Sequence, residues 1–398
     1  MSSHDHIKLT HPAGGSSAVD APDAGGMPVR LAGMLTPQSN NFGVVRIAMA
    51  LAVLVSHGFY LHTGTTSAEP LVAWTGHSLG EHAVQVFFFL SGILVAQSFE
   101  RSASLLDFAA ARILRIFPGL LFCVVVTALV LGPAVSSLPL AAYVGDPGLM
   151  SYLLRTASLA TGSAPLPGVF ETAPAPGLVN MSLWTLKYEV LCYAGLAFAG
   201  CAGLFKPAWR PYAAAVLAVF VAGVFIEPAK SIQLYTPFDN IRYFAVFFAS
   251  GVLAYLMRAN IVVRGAVLAV LFAIFIATIG TPVGVLGAAA FLGYGTLYVA
   301  CWPAGWLRAL ANRYDVSFGI YIYACPIQQF LIGQFPQAGA VGLIVLAIAL
   351  TLPVALCSWL LVERPALRLR VSLAGALTAR LAGLRYWKAQ PVSGPARR

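Results

Sequence analysis

Long apolar runs separated by short polar connections occupy most of this sequence. A helix needs about 20 apolar residues to cross a bilayer, and counting runs of that length predicts ten membrane spans. The spans lie near residues 43–62, 82–99, 112–132, 180–204, 211–227, 240–258, 261–279, 282–302, 314–335 and 338–362. The pattern therefore predicts an all-α polytopic membrane protein, a helical bundle of about ten transmembrane helices.

The composition agrees with a membrane protein and argues against a nucleic-acid-binding one. Hydrophobic residues make up 59% of the 398 residues and charged residues only 10%, whereas soluble proteins carry about 25% charged residues. The net charge of +10 comes mostly from basic residues beside the spans, where cytoplasmic connections collect Lys and Arg. These alternate connections are marked by Arg101, Arg112 and Arg115, by Lys206 and Arg210, by Arg258 and Arg264, and by Arg308 and Arg313. The alternation predicts that both termini are cytoplasmic.

Composition also divides the chain into three parts. Residues 1–37 are rich in Ser, Gly, Pro, Ala and His, which predicts a disordered cytoplasmic tail. Residues 38–365 form the membrane domain, and residues 366–398 form a basic cytoplasmic tail. Leucines interleaved with the basic residues of that tail favour contact with anionic membrane lipid, although the positive-inside rule explains the charge equally well.

The connection 133–179 is much longer than the others and contains seven prolines. The alternation of the spans places it outside, with a short surface helix predicted over Leu149–Leu159. A loop of this length between packed helices is usually functional or disordered. It is therefore either a spacer or a lid over an acceptor site.

The first span contains two polar residues, Arg46 and His57, which are 11 residues apart. In a helix this spacing corresponds to about 20° of rotation and about 16 Å of rise. The two side chains therefore lie on one face, one above the other. Polar residues inside a membrane span are costly and usually functional.

Glu189 in the fourth span is the predicted partner of His57. Counting from the outer ends of the two spans places His57 about 8 Å and Glu189 about 13 Å below the outer surface. A carboxylate beside an imidazole fixes its tautomer and suits it as a general base. The alternative is an interhelical hydrogen bond that only holds the two spans together.

Other polar or small residues mark the two ends of the bundle. Arg112 and Arg115 share a helix face at the cytoplasmic start of the third span, and guanidinium groups suit phosphate; ordinary positive-inside charge is the alternative. Ser91 and Gly92, in the middle of the second span, permit close approach of another helix or of a thin ligand arm. His82 lies near the outer surface, where an interfacial histidine without a catalytic role is the plain interpretation.

The sequence contains no metal-ligand spacing, no P-loop and no dinucleotide-binding glycine pattern. Its six cysteines all fall in apolar segments without metal or redox spacing. We therefore predict no metal site and no bound cofactor, and we assign the cysteines no role.

Several motifs, taken in order, resemble those of the membrane acyltransferase 3 family over residues 38–370. The matching segments are Arg46-x10-His57, Phe87-Phe-Phe-Leu-Ser91-Gly92, Arg112-Ile-Leu-Arg115, Leu183-Trp184-Thr-Leu-Lys-Tyr-Glu189, Ser317-Phe-Gly-Ile-Tyr321 and Val362-Glu-Arg-Pro365. The ninth span departs from the family pattern, because many members have a histidine three residues after the tyrosine and this chain has Ala324. We also find no appended SGNH-type domain, so we expect transfer to finish in the membrane domain or on a separate protein.

The resemblance implies an O-acyltransferase of the bacterial inner membrane. Its donor would be a cytoplasmic acyl-CoA, acetyl-CoA in the first place, and its acceptor a hydroxyl of a glycan or glycolipid at the outer face. Arg46, Arg112 and Arg115 would hold the donor phosphates, and the pantetheine arm would pass Ser91 and Gly92. His57, oriented by Glu189, would act as base or carry the acyl group. His82 and Trp184 are candidates on the acceptor side.

Two other classes of protein fit some of the same features. A proton-coupled transporter also has buried Arg, His and Glu, but it predicts inverted repeats that we do not find. A binding or scaffold protein would not require His57 and Glu189 at matching depths. The acceptor, the acyl chain and the oligomeric state stay open at this point.

Overall fold

The computed structural model describes residues 29–162, 164–223, 236–302, 304–376 and 378–379, and these residues are mostly helical. The helices are α1 (Phe42–Thr63), α2 (Val72–Thr75), α3 (Leu79–Arg101), α4 (Leu105–Val126), α5 (Gly132–Val135), α6 (Leu140–Gly145), α7 (Pro147–Ala157), α8 (Leu186–Cys201), α9 (Arg210–Gly223), α10 (Pro237–Leu256), α11 (Gly265–Thr278), α12 (Gly284–Ala300), α13 (Gly305–Arg313), α14 (Ser317–Gln334), α15 (Ala340–Ser358) and α16 (Arg364–Arg368). Short 3₁₀ turns cover Leu31–Met34, Thr66–Ala68 and Met181–Thr185, and π-helical turns cover Thr127–Leu131 and Trp359–Glu363.

Each of the ten predicted apolar segments contains one of these helices. Four stretches are long and apolar enough to cross a membrane unaided: Phe42–Thr63, Leu79–Arg101, Leu105–Val135 and Ala340–Arg368. A fifth is added if α12 and α13, which meet at a bend of 103°, form one broken span. The protein is thus a helical membrane protein with four or five candidate spans, and ten crossings with cytoplasmic termini stay a prediction.

The prediction that residues 1–37 form a disordered tail is wrong for the last nine of them, residues 29–37. Strand β1 (Val29–Arg30) pairs antiparallel with β2 (Val262–Val263), and the next turn buries Leu31 and Met34 completely. These two apolar side chains stand three residues apart and share one face of the turn, so they anchor the segment to the bundle. Residues 1–28 of that tail lie outside the described residues.

The basic tail predicted over 366–398 is described only as far as residue 379. Within it Arg370 forms an ion pair with Asp107 at the start of α4, with 2.7 Å between Nη2 and Oδ2. The beginning of the tail is therefore held against the same end of the bundle as the start of α4.

The long connection 133–179 packs into the bundle. It contains α5, α6 and α7, and α7 confirms the predicted short helix. Beyond α7 the chain buries Leu166, Val169 and Val179. The Gln329 side chain of α14 donates hydrogen bonds of 2.9 Å to the carbonyl oxygens of Ala175 and Leu178. The second half of this connection is part of the core, which neither a spacer nor a free lid describes.

Helices α3 and α10 make the most extensive helix contact in the described structure. They cross where Gly92 meets Gly251, because a Cβ on Gly92 would lie 2.1 Å from the carbonyl oxygen of Phe248. A Cβ on Gly251 would lie 2.0 Å from the carbonyl oxygen of Phe89. Glycine is thus required at both positions for the backbones to approach. The crossing fixes the face of α3 that carries Ser91.

Replacing Gly92 with Ala should destabilise this crossing by about 1–3 kcal/mol, because the added methyl group meets backbone atoms that cannot rotate away. The measurement is the melting temperature of the detergent-solubilised protein. Gly195→Ala in α8 is the matched control, since a Cβ there meets nothing within 4 Å. Equal melting temperatures for the two variants would contradict the close contact between α3 and α10 at Gly92.

Candidate functional site

A cavity of about 300 Å³ lies between α1, α3, α4, α8 and α14. One part of its wall is charged or polar and the other part is apolar. The polar lining consists of Arg46, Ser91, Arg112, Arg115, Thr185, Glu189, Tyr193, Asp315, Ser317 and Tyr321, and the apolar lining includes Val84, Phe87, Phe88, Leu94, Val95, Ile116, Leu186, Phe318 and Leu367. The structure thus brings the three sequence-predicted arginines, Ser91 and Glu189 into one cavity.

Asp315, just before α14, joins two of the arginines. Its Oδ2 accepts a hydrogen bond from Arg46 and lies 3.0 Å from Arg115 Nη2. Its Oδ1 accepts from the Ser317 hydroxyl at 2.9 Å. All three charged side chains are largely buried, with 17–23% of their surface exposed, and buried charges need partners. The bridge therefore ties the starts of α1 and α14 to α4.

Arg115 has a second acidic neighbour, Glu363, in the π-helical turn that follows α15. The two side chains approach to 3.8 Å between Nη1 and Oε2, and Glu363 Oε1 accepts a hydrogen bond of 3.0 Å from Ser358. A π-helical turn adds one residue to a helix turn and re-aims the side chains that follow, often at a functional site. Here it brings a fully buried carboxylate to the arginine end of the cavity.

Arg112 differs from the other two arginines, because no carboxylate pairs with it in the described part of the chain. Its Nη2 donates a hydrogen bond of 3.3 Å to the Ser98 hydroxyl. Its guanidinium lies over the rings of Tyr193 and Phe108, at 5.6 and 5.9 Å from their centres, and its buried Nε has no hydrogen-bond partner. Among the three arginines, Arg112 is therefore the one whose charge is not already paired with a carboxylate in the described part of the chain, which leaves it available to an anion.

Glu189 faces α3 and its own helix. Its Oε1 accepts hydrogen bonds from Tyr193 and, at 3.0 Å, from the Ser91 hydroxyl. No hydrogen bond or ion pair joins Glu189 to His57 within the described residues, so the predicted pair of these two residues does not form. Glu189 belongs to the wall of the cavity that holds the arginines.

The error in placing Glu189 arises from where its span begins. The depth estimate assumed that residue 180 lies at the outer surface. In the structure the second half of the long connection enters the bundle first, so Asn180 is fully buried and its side-chain amide donates to the carbonyl oxygen of Ile322 at 2.7 Å. Glu189 follows nine residues later, about 13 Å further in if helical. It therefore reaches the arginines.

His57 contacts Ser182 of the 3₁₀ turn that precedes α8. The distance between His57 Nδ1 and Ser182 Oγ is 3.4 Å. His57 does not line the cavity described above, but Thr185, from the same turn as Ser182, does. The hydroxyls of Thr185 and Tyr321 lie 2.6 Å apart, and both residues line the cavity.

The remaining predicted site residues have structural contacts of their own. The space beside Gly92 is occupied by the backbone of α10, which leaves no room for a ligand arm there. Both ring nitrogens of His82 are engaged, by Gln85 at 2.9 Å and by Thr75 at 3.2 Å. This pairing argues against the predicted role in contacting an acceptor. Trp184 packs against Tyr188 and Phe244.

Asp315, Glu363, Tyr193 and Ser182 had no place among the predicted site residues. Asp315 and Glu363 stand at the edges of apolar runs, where a charged residue ordinarily reads as the end of a span. Two signals were available: Asp315 lies two residues before Ser317, where a matched motif begins, and Glu363 is part of the matched Val362 motif. Within the described residues no group of three or more His, Cys, Asp and Glu side chains has the geometry of a metal site.

The pairing of Arg46 with Asp315 is testable by a double-mutant cycle with Arg46→Gln and Asp315→Asn. Because both side chains are largely withdrawn from water, we expect a coupling energy of about 2 kcal/mol, measured as apparent unfolding free energies in mixed micelles. The more exposed pair Arg242–Asp239, 3.7 Å apart, should give about 0.3 kcal/mol. Equal coupling in the two cycles would show that the buried bridge does not hold α1 to α14.

Comparison with known proteins agrees with the motif resemblance. The chain is 29% identical to a protein named "O-acetyl transferase" from Shigella phage Sf6 over 337 residues, which cover 82% of this chain and 96% of that protein. It is 29% identical to "Nodulation protein 10" of Rhizobium leguminosarum bv. viciae over 365 residues, which cover 84% of this chain and 95% of the relative. No solved structure matches the chain significantly. The family model described as "Acyltransferase domain" matches residues 40–363, which include α1 to α15 and every residue of the cavity except Leu367, so the chain belongs to this acyltransferase family.

Proposed function

We propose that this protein is a membrane O-acetyltransferase that moves an acetyl group from acetyl-CoA to a hydroxyl of a glycan or glycolipid. The family membership and the name of the phage relative support the reaction class. The observation that carries the proposal is the cavity itself, which is lined by three arginines and also by Thr185, from the turn whose Ser182 lies 3.4 Å from His57. Arginine is well suited to phosphate, and acyl-CoA carries phosphates at the end opposite its thioester.

The donor phosphates would bind at the arginine end, with Arg112 as the principal contact. Arg46 and Arg115 already share Asp315, so their guanidinium groups are held in place and supply only their remaining N–H groups. Arg112 has no carboxylate to displace. A guanidinium fixed by a carboxylate on one side and open on the other is preorganised for a second anion.

The arm of the donor would extend along α3. Val95, Ser91 and Val84 all line the cavity, and 11 residues of helix rise by about 16 Å. Along this path Ser91 and Tyr193 are held by Glu189. We therefore reassign Glu189 from orienting His57 to ordering the donor channel. Ser91 keeps its predicted place on the donor path, whereas Gly92 only packs α3 against α10.

The reaction would occur at His57, beyond Thr185 and Tyr321. Nε2 of the imidazole takes the proton of the acceptor hydroxyl while the hydroxyl oxygen attacks the thioester carbon. A C–O bond forms and the C–S bond breaks. The thiolate of CoA leaves and takes up the proton from the imidazolium, so the products are an ester and CoA thiol. The same ring is also suited to carry the acetyl group itself between donor and acceptor.

The acceptor would arrive from the outer side of the membrane, where the glycans of a bacterial inner-membrane enzyme are exposed. The positive-inside pattern supports this orientation, with the arginine end of the cavity in the cytoplasm. A transporter with the same buried charges would move its substrate without consuming acetyl-CoA. Transport of a substrate without consumption of acetyl-CoA would therefore favour a transporter over an acetyltransferase.

Replacing His57 with Ala should lower acetyl transfer at least about 100-fold, because the reaction loses its general base or acyl carrier. The measurement is acetyl-CoA-dependent release of CoA thiol by the purified full-length protein in nanodiscs with acceptor glycan present. It should be paired with mass spectrometry of surface glycans from cells that express each variant. His62→Ala, near the end of the same helix, is the matched control and should stay active. An active, correctly inserted His57→Ala variant would overturn the proposed mechanism.

Replacing Arg112 with Gln should raise the donor KM about tenfold or more while kcat changes by less than about threefold, because a charged hydrogen bond to phosphate is lost far from the reacting atoms. Initial rates at varied acetyl-CoA concentration give both constants. Arg101→Gln at the end of α3 removes a nearby basic residue that does not line the cavity. If Arg101→Gln raises KM as much as Arg112→Gln, general basic charge accounts for donor binding and the specific role of Arg112 is wrong.

A further inference from the structure

We infer that Ser182 is the residue that positions His57. From the sequence alone, this orienting role was predicted for Glu189. The inference rests on the proposed role of His57 in acetyl transfer. Ser182 Oγ lies 3.4 Å from His57 Nδ1, and this is the one hydrogen bond of the His57 ring within the described residues. Ser182 is only 1% exposed, so bulk water does not compete for its hydroxyl.

The opposite ring nitrogen is left for chemistry. His57 Nε2 has no hydrogen-bond partner in the described structure. It is also not fully buried, and His57 as a whole is only partly buried. A neutral imidazole carries one N–H and one lone pair. When Nδ1–H donates to Ser182 Oγ, the lone pair stands on Nε2, where it is able to accept a proton from a hydroxyl.

Helix α14 fixes the backbone beneath His57. The side-chain amide of Gln328 donates to the carbonyl oxygen of Leu54 at 2.7 Å, three residues before His57. One residue after His57, a Cβ on Gly58 would lie 2.3 Å from Ile344 of α15. A helix clamped on both sides of a residue leaves that side chain little freedom to change its distance from a neighbour.

The same helix fixes the turn that carries Ser182. The backbone N–H of Met181 donates to Cys325 Sγ at 3.3 Å, and Asn180 donates to the carbonyl oxygen of Ile322 at 2.7 Å. On the far side of Ser182, Thr185 shares its hydrogen bond with Tyr321. Two successive turns of α14 thus hold the turn of Ser182, while the next turn of α14 holds α1. The distance between His57 and Ser182 is set by one rigid element.

During transfer this contact has a definite role. As Nε2 takes the proton of the acceptor hydroxyl, the ring becomes an imidazolium whose Nδ1–H continues to donate to Ser182 Oγ. When the thiolate leaves with a proton from Nε2, the ring returns to the same tautomer. Ser182 itself neither gains nor loses a proton over the cycle. It touches neither donor nor acceptor, and it acts only by orienting His57.

The test combines kinetics with the tautomer of His57. In full-length protein labelled with ¹⁵N-histidine, the His57 signals are identified by their loss in His57→Gln. The wild-type protein should show a protonated Nδ1 and a lone pair on Nε2. Ser182→Ala should give a mixture of tautomers. Its kcat should be about tenfold lower than that of the wild-type protein, and its KM for acetyl-CoA should stay within about twofold of the wild-type value. Ser182→Cys, which keeps the volume but has a weaker acceptor, should fall between the two.

Ser56→Ala is the matched control, because Ser56 is a buried serine of α1 directly before His57 and makes no hydrogen bond to the ring. It should keep the wild-type tautomer and kcat. A lone pair on Nδ1 in the wild-type protein, or a wild-type kcat in Ser182→Ala, would overturn the inference. Where Ser182→Ala fails to fold, the wild-type tautomer and Ser182→Cys decide the question. If His57→Ala is fully active, it is the proposed function that fails, and the two failures are therefore distinguishable.

Discussion

A carboxylate between two arginines, at the end of an apolar bundle, is the constraint on which this site depends. Asp315 accepts from Arg46 of α1 and lies against Arg115 of α4, and none of the three charges is tolerable in such surroundings without the others. Their pairing forces three separate helices to converge at one level. The three charged residues line the cavity together with Ser91 and Phe87 of α3.

Features that depend on helical periodicity were predictable from the sequence. The ten apolar segments each contain a helix, and Arg112 and Arg115, three residues apart, line one cavity as their spacing suggested. This succeeds because a helix face is a local property, set by residues three, four or eleven positions apart. The positions of those arginines relative to the spans needed no knowledge of the tertiary fold.

Features that depend on the path of an irregular segment were not predictable. Glu189 does not pair with His57, because the chain before Glu189 already enters the bundle at Asn180. The proline-rich sequence of this connection does not indicate how deeply the connection enters the bundle. The same connection delivers Ser182, a residue type too common in loops to stand out. The error over residues 29–37 has a similar origin, since polar composition hid the two buried side chains of Leu31 and Met34. In each case a long-range contact overrode a local signal.

Helix α14 begins beside Asp315 and, ten residues on, Cys325 holds the turn of Ser182. That distance is about 15 Å along a helix, and it does not vary, because both ends are bonded to their neighbours. In the proposed function, the helix therefore sets the distance between the anchoring charges and the reacting nitrogen of His57. A thioester whose phosphates fit the arginines but whose arm is too short would bind and stop before His57. For the proposed acyl-CoA donor, selection would thus depend on the length of its arm as well as on its charge.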